Sequence, residues 1–353
     1  MPGRRTVGVG RWVAAGHDRE AALRTVDRLD AFQRRHAVVG LPLAVVYKFF
    51  DDRGTQLAAL LTYYGFLSVF PLFLLLTSLL GFFLHGDPEL QQRVVDSALA
   101  SVPLLRSQLA DHVGSFTGSG FAVVVGIVGP LLGGLGVVQS AQTTLNRIHA
   151  VPRFAQPNPL RSRLRSLALI VVLGLTALVS TAVSAFVLSV GEHVPALRGL
   201  VPVAAVLAGI AVNLGIFLIV YRVLPATHLG WRDVWVGSLV AAVLWQLLQT
   251  FGTYLLGRQL DRDADAYGVF GVVLGLLVWI YLLALVFVLA AEIDVVRRRH
   301  LYPRALLTPF TDDVDLTGAD VRTYTGYATS ERYKGFEKVE ATFDRDPEGG
   351  APS

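Results

Sequence analysis

The chain of 353 residues contains no cysteine, which excludes a disulfide scaffold, a thiolate zinc site, an iron–sulfur cluster and a cysteine nucleophile. Charge is also scarce, because only 16% of the residues are Asp, Glu, Lys or Arg, against about 25% in ordinary soluble domains. Apolar residues make up 53% of the chain and the mean hydropathy is +0.53. Too little polar surface remains to cover the core of a soluble enzyme, so the composition indicates an integral membrane protein.

Arrangements of residues that carry enzyme chemistry are missing as well. The eight histidines are scattered singly, and the chain has no HxH or HExxH spacing, no GxSxG nucleophile elbow and no Walker A loop. The closest approach to a metal motif is the run Asp261, Asp263 and Asp265, which lacks the downstream Gly and Glu of a calcium loop and is read as a solvated turn. We therefore expect no catalytic residues, no metal, no cofactor and no enzyme activity.

Six apolar runs are long enough to cross a bilayer, which needs about 20 apolar residues per helix. None of them contains Lys or Arg, and their continuous apolarity distinguishes them from amphipathic helices and from alternating β-barrel strands. We predict an all-α integral membrane protein with six transmembrane helices and amphipathic interfacial helices. The predicted spans are residues 57–84, 118–141, 166–190, 201–221, 234–256 and 267–296.

The orientation follows from the basic residues outside these runs. Alternate sides of the predicted topology carry 26 and five Lys or Arg residues, and the more basic side should face the cytoplasm. We predict a protein of the bacterial cytoplasmic membrane with both termini inside. It comprises a basic amphipathic cytoplasmic arm at 1–53, a six-helix domain at 54–304 and a disordered cytoplasmic tail at 305–353.

Three segments outside the spans have patterns of their own. Residues 18–37 read as a basic amphipathic helix, which lies either on the inner leaflet or on the protein's own cytoplasmic face. The run 41–50 has an apolar face too short to span. The first external loop, 85–117, starts with the helix signal Asp87–Pro88–Glu89 and is expected to form a small helical cap, the alternative being a plain connection.

The first span places hydroxyl groups within one helix. Thr62, Tyr63, Tyr64 and Ser68 precede Pro71, which removes a backbone hydrogen bond and should kink the helix. Such a helix lines a polar cavity or, alternatively, forms hydrogen bonds and packing contacts between helices. The sequence leaves both interpretations open.

Glycines recur in the second and sixth spans at the spacing that lets helices approach closely. Gly129 and Gly133 form one pair with this spacing, and Gly271 and Gly275 form another. Close helix packing is the favoured interpretation, and a flexible gate is the alternative.

A few polar residues lie within the apolar runs. Glu292 is the strongest functional candidate among them, and its alternative role is to pair with a cytoplasmic arginine, Arg222 or Arg297. Unsatisfied polar groups are costly in hydrocarbon, so we expect the polar residues to face inward. We predict a polar cavity closed by Glu292, with Arg222 as its partner. The predicted cavity residues are Tyr63, Tyr64, Asn213, Gln246, Tyr267 and Glu292.

An ordered set of motifs resembles the YihY/BrkB family of bacterial inner-membrane proteins. It comprises LTYYGFLSVFP at 61–71, TLNRIH at 144–149 and a series that runs from RVLP at 222–225 to AAEI at 290–293. The likeness covers residues 38–304. His149 stands where the family usually has Trp, and Ala290 stands where it usually has Gly.

The resemblance implies a six-spanning protein linked to envelope integrity and serum resistance, with lipid transport suggested for relatives. The family was once labelled a ribonuclease, and that label is generally regarded as mistaken. Our leading hypothesis is transport or handling of a lipid or another amphipathic molecule. The alternative is a membrane scaffold that recruits envelope partners. Expected partners are membrane lipids and either a second copy of the chain or an envelope protein, but not nucleic acid.

Overall fold

The computed structural model describes residues 30–83, 120–158, 160–172, 174–176, 201–259, 264–308 and 314–343. These residues form helices and connecting turns, and no strand occurs among them. Residues 30–35, 160–172 and 174–176 are helical in addition to seven helices that we number in chain order. The seven are α1 Ala37–Asp51, α2 Gly54–Phe83, α3 Gly120–Ile148, α4 Val201–Val223, α5 Trp231–Gln259, α6 Ala264–Arg298 and α7 Gly318–Ser330.

Three helices within the described residues are long and apolar enough to cross a membrane: Val201–Val223, Trp231–Gly252 and Val273–Arg298. They correspond to the fourth, fifth and sixth predicted spans. The first two predicted spans fall on α2 and α3, which have 30 and 29 residues and therefore a length of about 45 Å each. Of the third predicted span, 166–172 and 174–176 are helical, and 177–190 lie outside the described residues. The count of six spans stays a prediction.

Several outward faces of these helices are apolar. Leu207 on α4, Phe251 on α5 and Val278 on α6 are each about 60% exposed, at 60%, 63% and 58%. Large apolar patches are rare on soluble monomers, but they are the normal surface of a helix in lipid. These faces therefore agree with helices that are surrounded by hydrocarbon.

The long helix α6 lies at the centre of the described bundle, where it contacts α1, α2, α3 and α5. The tightest core lies towards its carboxyl end, where Ala44, Ala58, Leu145 and Val288 have no exposed surface. Contacts at this end also join segments that the basic-residue count places on one side of the membrane. We call it the charged end: residues 30–56, 139–158, 160–165, 222–237, 290–308 and 314–343.

The described part of the tail contains one helix, α7. It begins with a capping box, in which the side chain of Thr317 accepts a hydrogen bond from Asp320 N. Disorder from residue 305 stays a prediction for the tail outside α7. Few large aliphatic side chains mark α7 in the sequence, and it is held instead by polar contacts to α1 and to the residues after α6. The external loop 85–117 lies outside the described residues.

Glycine lets α5 and α6 approach closely at the charged end. A Cβ atom on Gly237 would lie 2.3 Å from the carbonyl oxygen of Ala290 and from Oδ2 of Asp294. The amide of Gly237 donates a 2.7 Å hydrogen bond to Oδ1 of Asp294, a contact that a side chain would disrupt. Close packing at Gly129, Gly133, Gly271 and Gly275 stays a prediction. The helix α2 runs through Pro71, and the kink expected at that residue also stays a prediction.

Candidate functional site

The charged end contains a buried cluster of three ionisable side chains, which we call the Lys48 cluster: Lys48, Asp52 and Glu292. Lys48 and Asp52 lie one turn apart at the end of α1 and form an ion pair. Lys48 Nζ lies 3.3 Å from Oε2 of Glu292, which α6 presents to α1. The three residues are 3%, 2% and 0% exposed, so this cluster is shielded from water.

The cluster corrects one prediction about Glu292. Its cationic partner is Lys48, whereas Arg222 stacks over the ring of Trp231 at 3.9 Å and donates to Leu229 O at 3.2 Å. Arg297 donates to the carbonyl oxygen of Arg232 at 2.7 Å. The reason is geometric, because α1 covers the face of α6 that carries Glu292.

Charge within the cluster is unbalanced, with one cation facing two carboxyl groups. Burial alone lowers the pKa of Lys48, but the charges of Glu292 and Asp52 outweigh that effect and raise the pKa above its ordinary 10.5. Lys48 is therefore charged at neutral pH. The ring of Tyr327 on α7 lies 5.5 Å from Lys48 Nζ, which brings the tail helix against the same cluster.

A second buried cation, Arg304, fastens the tail to α1. Its Nε donates to Oδ1 of Asp320 at 2.8 Å, and its Nη1 donates to Oδ2 of Asp51 at 2.6 Å. Asp320 also accepts from the amide of Ala305 at 3.0 Å. Arg304 is 1% exposed, and its two ion pairs join the end of α1, the residues after α6 and the start of α7.

The end of α3 is held by polar contacts from two other segments. Oδ1 of Asn146 accepts a 2.7 Å hydrogen bond from the amide of Ala226, and Arg299 donates to the carbonyl oxygen of His149. His149 is 2% exposed, and its Nδ1 lies 2.9 Å from Leu145 O. Burial lowers the pKa of His149 to about 3, so its ring is neutral at physiological pH.

These elements enclose a polar pocket of about 570 Å³ at the charged end, which we call the arginine pocket. Its walls come from the junction of α1 and α2, the end of α3, the turn Arg153–Ala155 and α7. Arg53 lies at the α1–α2 junction, where its φ of 56° lets the chain turn between the two helices. A smaller pocket of about 240 Å³ shares Thr143, Asn146 and Gln156 with the arginine pocket.

The residues of the predicted polar cavity occupy separate places. Tyr63 is 58% exposed and lines an apolar groove of about 370 Å³ between α2 and α6, together with Tyr281. Tyr64 faces Gly136 on α3, and Gln246 on α5 faces Gly209 on α4. Glu292 belongs to the Lys48 cluster.

The two remaining residues of the predicted cavity, Asn213 and Tyr267, give no evidence of a shared pocket. Asn213 is half-buried on α4, and the side chain of Tyr267 lies outside the described residues. The groove that Tyr63 lines includes none of the other five, so the structure gives no support to a shared pocket of these six.

Four residues of the charged end were not singled out from the sequence: Lys48, Asp52, Arg304 and Asp320. A signal existed for two of them. Lys48 is the one cation in the otherwise apolar run 41–50, and Thr317 with Asp320 matches the spacing of a capping box. Asp52 pairs with Lys48 only four residues before it, but no pattern marks it as buried. Arg304 carries no such signal, because its partner Asp51 lies 253 residues away.

The bundle and its pocket define a class of protein: an α-helical membrane protein with several apolar helices and a polar pocket at one end. The model of a family described as Virulence factor BrkB matches residues 45–310. The chain therefore belongs to the BrkB family. No solved structure matches the chain.

Curated relatives agree with this family. A UPF0761 membrane protein of Paraburkholderia xenovorans is 27% identical over 241 residues, which cover 66% of the chain and 54% of that protein. Another, from Stenotrophomonas maltophilia, is 29% identical over 262 residues, 70% of the chain and 58% of that protein. An uncharacterized protein of Dickeya dadantii is 27% identical over 255 residues, 67% of the chain and 76% of that protein. The chain thus spans just over half the length of the first two relatives.

Proposed function

We propose that this protein handles or transports a lipid or another amphipathic molecule in the bacterial cytoplasmic membrane, and thereby supports envelope integrity. The observation that carries the proposal is the arginine pocket, a polar space of about 570 Å³ at the end of an apolar helical bundle. A lipid has a polar head and apolar chains, and a site for it needs both kinds of surface side by side.

The apolar groove supplies the second kind of surface. Ala59 and Tyr63 line it, and they follow Arg53 by six and ten residues along α2. At 1.5 Å per helical residue the groove begins about 9 Å from the level of Arg53. One lipid molecule is therefore long enough to place its head group at the arginine pocket and an acyl chain in the apolar groove.

We further propose that the charged end faces the cytoplasm. The basic segments that the positive-inside rule assigns to that side are joined there by Lys48–Glu292, Arg304–Asp51 and the hydrogen bond from Arg299 to His149. We also keep the proposal that the protein has no nuclease or other hydrolytic activity. Metal-dependent RNA cleavage by highly purified protein, lost on mutation of a named residue, would contradict it.

Lipid movement is tested with the purified full-length chain in liposomes that contain a trace of fluorescent phospholipid. A membrane-impermeant quencher reports how fast the labelled lipid changes leaflet. We expect faster exchange than in protein-free liposomes, and slower exchange for Tyr63→Ala than for the control Leu207→Ala, which removes an equally exposed side chain on α4. Exchange no faster than in protein-free liposomes, with binding of no lipid in native mass spectrometry, would refute the proposal.

A scaffold that recruits an envelope partner is the second candidate function. The observation that favours it is a pair of exposed aromatic side chains in the tail, Tyr333 at 58% and Phe336 at 88%. Exposed aromatic residues are common anchors of protein interfaces. If Tyr333→Ser with Phe336→Ser abolishes function in cells while lipid exchange in liposomes is unchanged, the scaffold is favoured.

A further inference from the structure

Resting on the proposed function, we propose that the arginine pocket and the smaller pocket beside it form a binding site for the phosphate of an anionic head group, with Arg53 and Arg147 as its principal cations. The argument starts from the pairing of charges in the pocket wall.

Six charged side chains line the arginine pocket, and four of them take part in ion pairs. Arg153 pairs with Glu331 at 2.8 Å. Asp51 pairs with Arg304, and Asp52 pairs with Lys48. Arg53 and Arg147 are exposed and have no carboxylate within ion-pair distance among the described residues. The pocket wall therefore carries two arginines that form no ion pair among the described residues.

Unpaired hydrogen-bond donors point to the same kind of ligand. Gln142 lines the smaller pocket and is 5% exposed. Its Oε1 accepts from Ser162 at 2.5 Å, but its Nε2 has no partner among the described residues. The hydroxyl of Tyr327, in the wall of the arginine pocket, is likewise buried without a described partner. A buried donor without a partner destabilises the folded state, and a ligand that accepts hydrogen bonds removes this cost.

The protonation state of Tyr327 fits this interpretation. Burial raises the pKa of its phenol, and the nearby charge of Asp52 raises it further, so the hydroxyl keeps its proton. His149 is neutral and adds no charge at the end of α3. The unpaired groups at the two pockets thus include two guanidinium groups, an amide N–H and a phenolic O–H, each of which can donate a hydrogen bond.

Phosphate is the ligand chemistry that such a set favours. A guanidinium group presents paired N–H donors in a plane, and this geometry matches two oxygens of one phosphate. Anionic phospholipids are concentrated in the leaflet that the charged end is proposed to face. Arg163, which lines the smaller pocket, adds a third cation on the side where Gln142 lies. A zwitterionic head group also contains phosphate, but its cation would face these arginines.

The test compares full-length wild type with the double variant Arg53→Gln, Arg147→Gln. Arg161→Gln is the matched control, because Arg161 is an exposed arginine of the helical segment 160–172 and lines neither pocket. Each protein is placed in nanodiscs of phosphatidylcholine, or of phosphatidylcholine with an equal amount of phosphatidylglycerol. Native mass spectrometry measures the retained lipid, and tryptophan fluorescence checks the fold.

We expect wild type and the control to retain phosphatidylglycerol in preference to phosphatidylcholine. The affinity should fall about tenfold for each arginine removed, because a hydrogen bond to a charged group contributes on that scale. Inorganic phosphate is titrated into the phosphatidylcholine nanodiscs to identify the source of the phosphate. Arginine-dependent binding of inorganic phosphate, without a preference for phosphatidylglycerol, would keep the phosphate site and reject the lipid as its ligand.

Equal retention by wild type and the folded double variant would overturn the site. If lipid exchange in liposomes then persists, the proposed function stands without it. Conversely, arginine-dependent retention without lipid exchange would support the site and count against transport.

Discussion

Replacing Lys48 with methionine should destabilise the protein strongly, although the substitution makes the chain more apolar. The change removes the one cation of the Lys48 cluster and leaves Asp52 and Glu292 facing each other. Both carboxyl groups are almost fully buried, so water cannot replace the lost cation. Counted with both carboxyl groups ionised, the charge of the cluster changes from −1 to −2.

The magnitude follows from the burial of the cluster. Removing one partner from a buried ion pair typically costs about 3–5 kcal/mol, because an uncompensated charge remains in the interior. For a domain of 150–250 residues, 1 kcal/mol corresponds to roughly 2–4 °C in melting temperature, so we expect a loss of about 10 °C. The lost contact between Lys48 and the ring of Tyr327 adds to the effect.

Thermal unfolding of the purified protein, followed by tryptophan fluorescence, measures the loss. Lys334→Met is the matched control, because Lys334 is an exposed lysine of the tail, and it should leave the melting temperature unchanged. Adding Glu292→Gln to Lys48→Met returns the formal charge to −1 and should recover part of the loss. A melting temperature of Lys48→Met that matches the control, or a double variant less stable than Lys48→Met, would refute the electrostatic explanation.

Three further predictions concern the charged end. His149 has a folded pKa of about 3 and an unfolded pKa near 6.5, so its neutral form contributes stability that is lost as pH falls between those values. Lowering pH from 7 to 4 should therefore reduce the free energy of unfolding of wild type by roughly 3 kcal/mol more than that of His149→Phe. The same loss in both proteins over this pH range would contradict the prediction. Arg304→Met should release the tail and speed trypsin cleavage between 314 and 343, whereas equal cleavage rates in Arg304→Met and the control Arg161→Met, which changes an exposed arginine outside the tail, would contradict the docking. Reporters fused after Arg106 and after residue 343 should report the outside and the cytoplasm, respectively, and the opposite signals would reject the proposed topology.

Much of the helical architecture was predictable because it depends on local composition. The apolar run 201–221 became α4, and the run 267–296 became the larger part of α6, with boundaries shifted by at most three residues. Helix ends shifted because capping and tertiary contacts set them. In α3 the helix continues past the apolar run to Ile148, where polar residues meet the α4–α5 connection.

The polar contacts were far less predictable. The sequence indicates that Glu292 needs a partner, but Arg222 and Lys48 are equally available until the packing of α1 on α6 is known. The tail illustrates the same limit, because its composition resembles that of a disordered segment. The contacts of α7 with the rest of the chain include those of Arg304, whose partners Asp51 and Asp320 lie 253 and 16 residues away.

By itself, the sequence determined the class of protein, the family resemblance and the positions of its apolar helices. The reason is that a segment surrounded by hydrocarbon must satisfy its own backbone hydrogen bonds and present apolar side chains, and both properties can be read from a continuous apolar run. The tertiary structure decided which charges meet. It placed Lys48 between two carboxyl groups, separated Tyr63 from Glu292 and left Arg53 and Arg147 without a described counter-charge. The physical reason is that an ion pair depends on a few ångströms of separation between distant segments, and only the packing of the helices sets that distance.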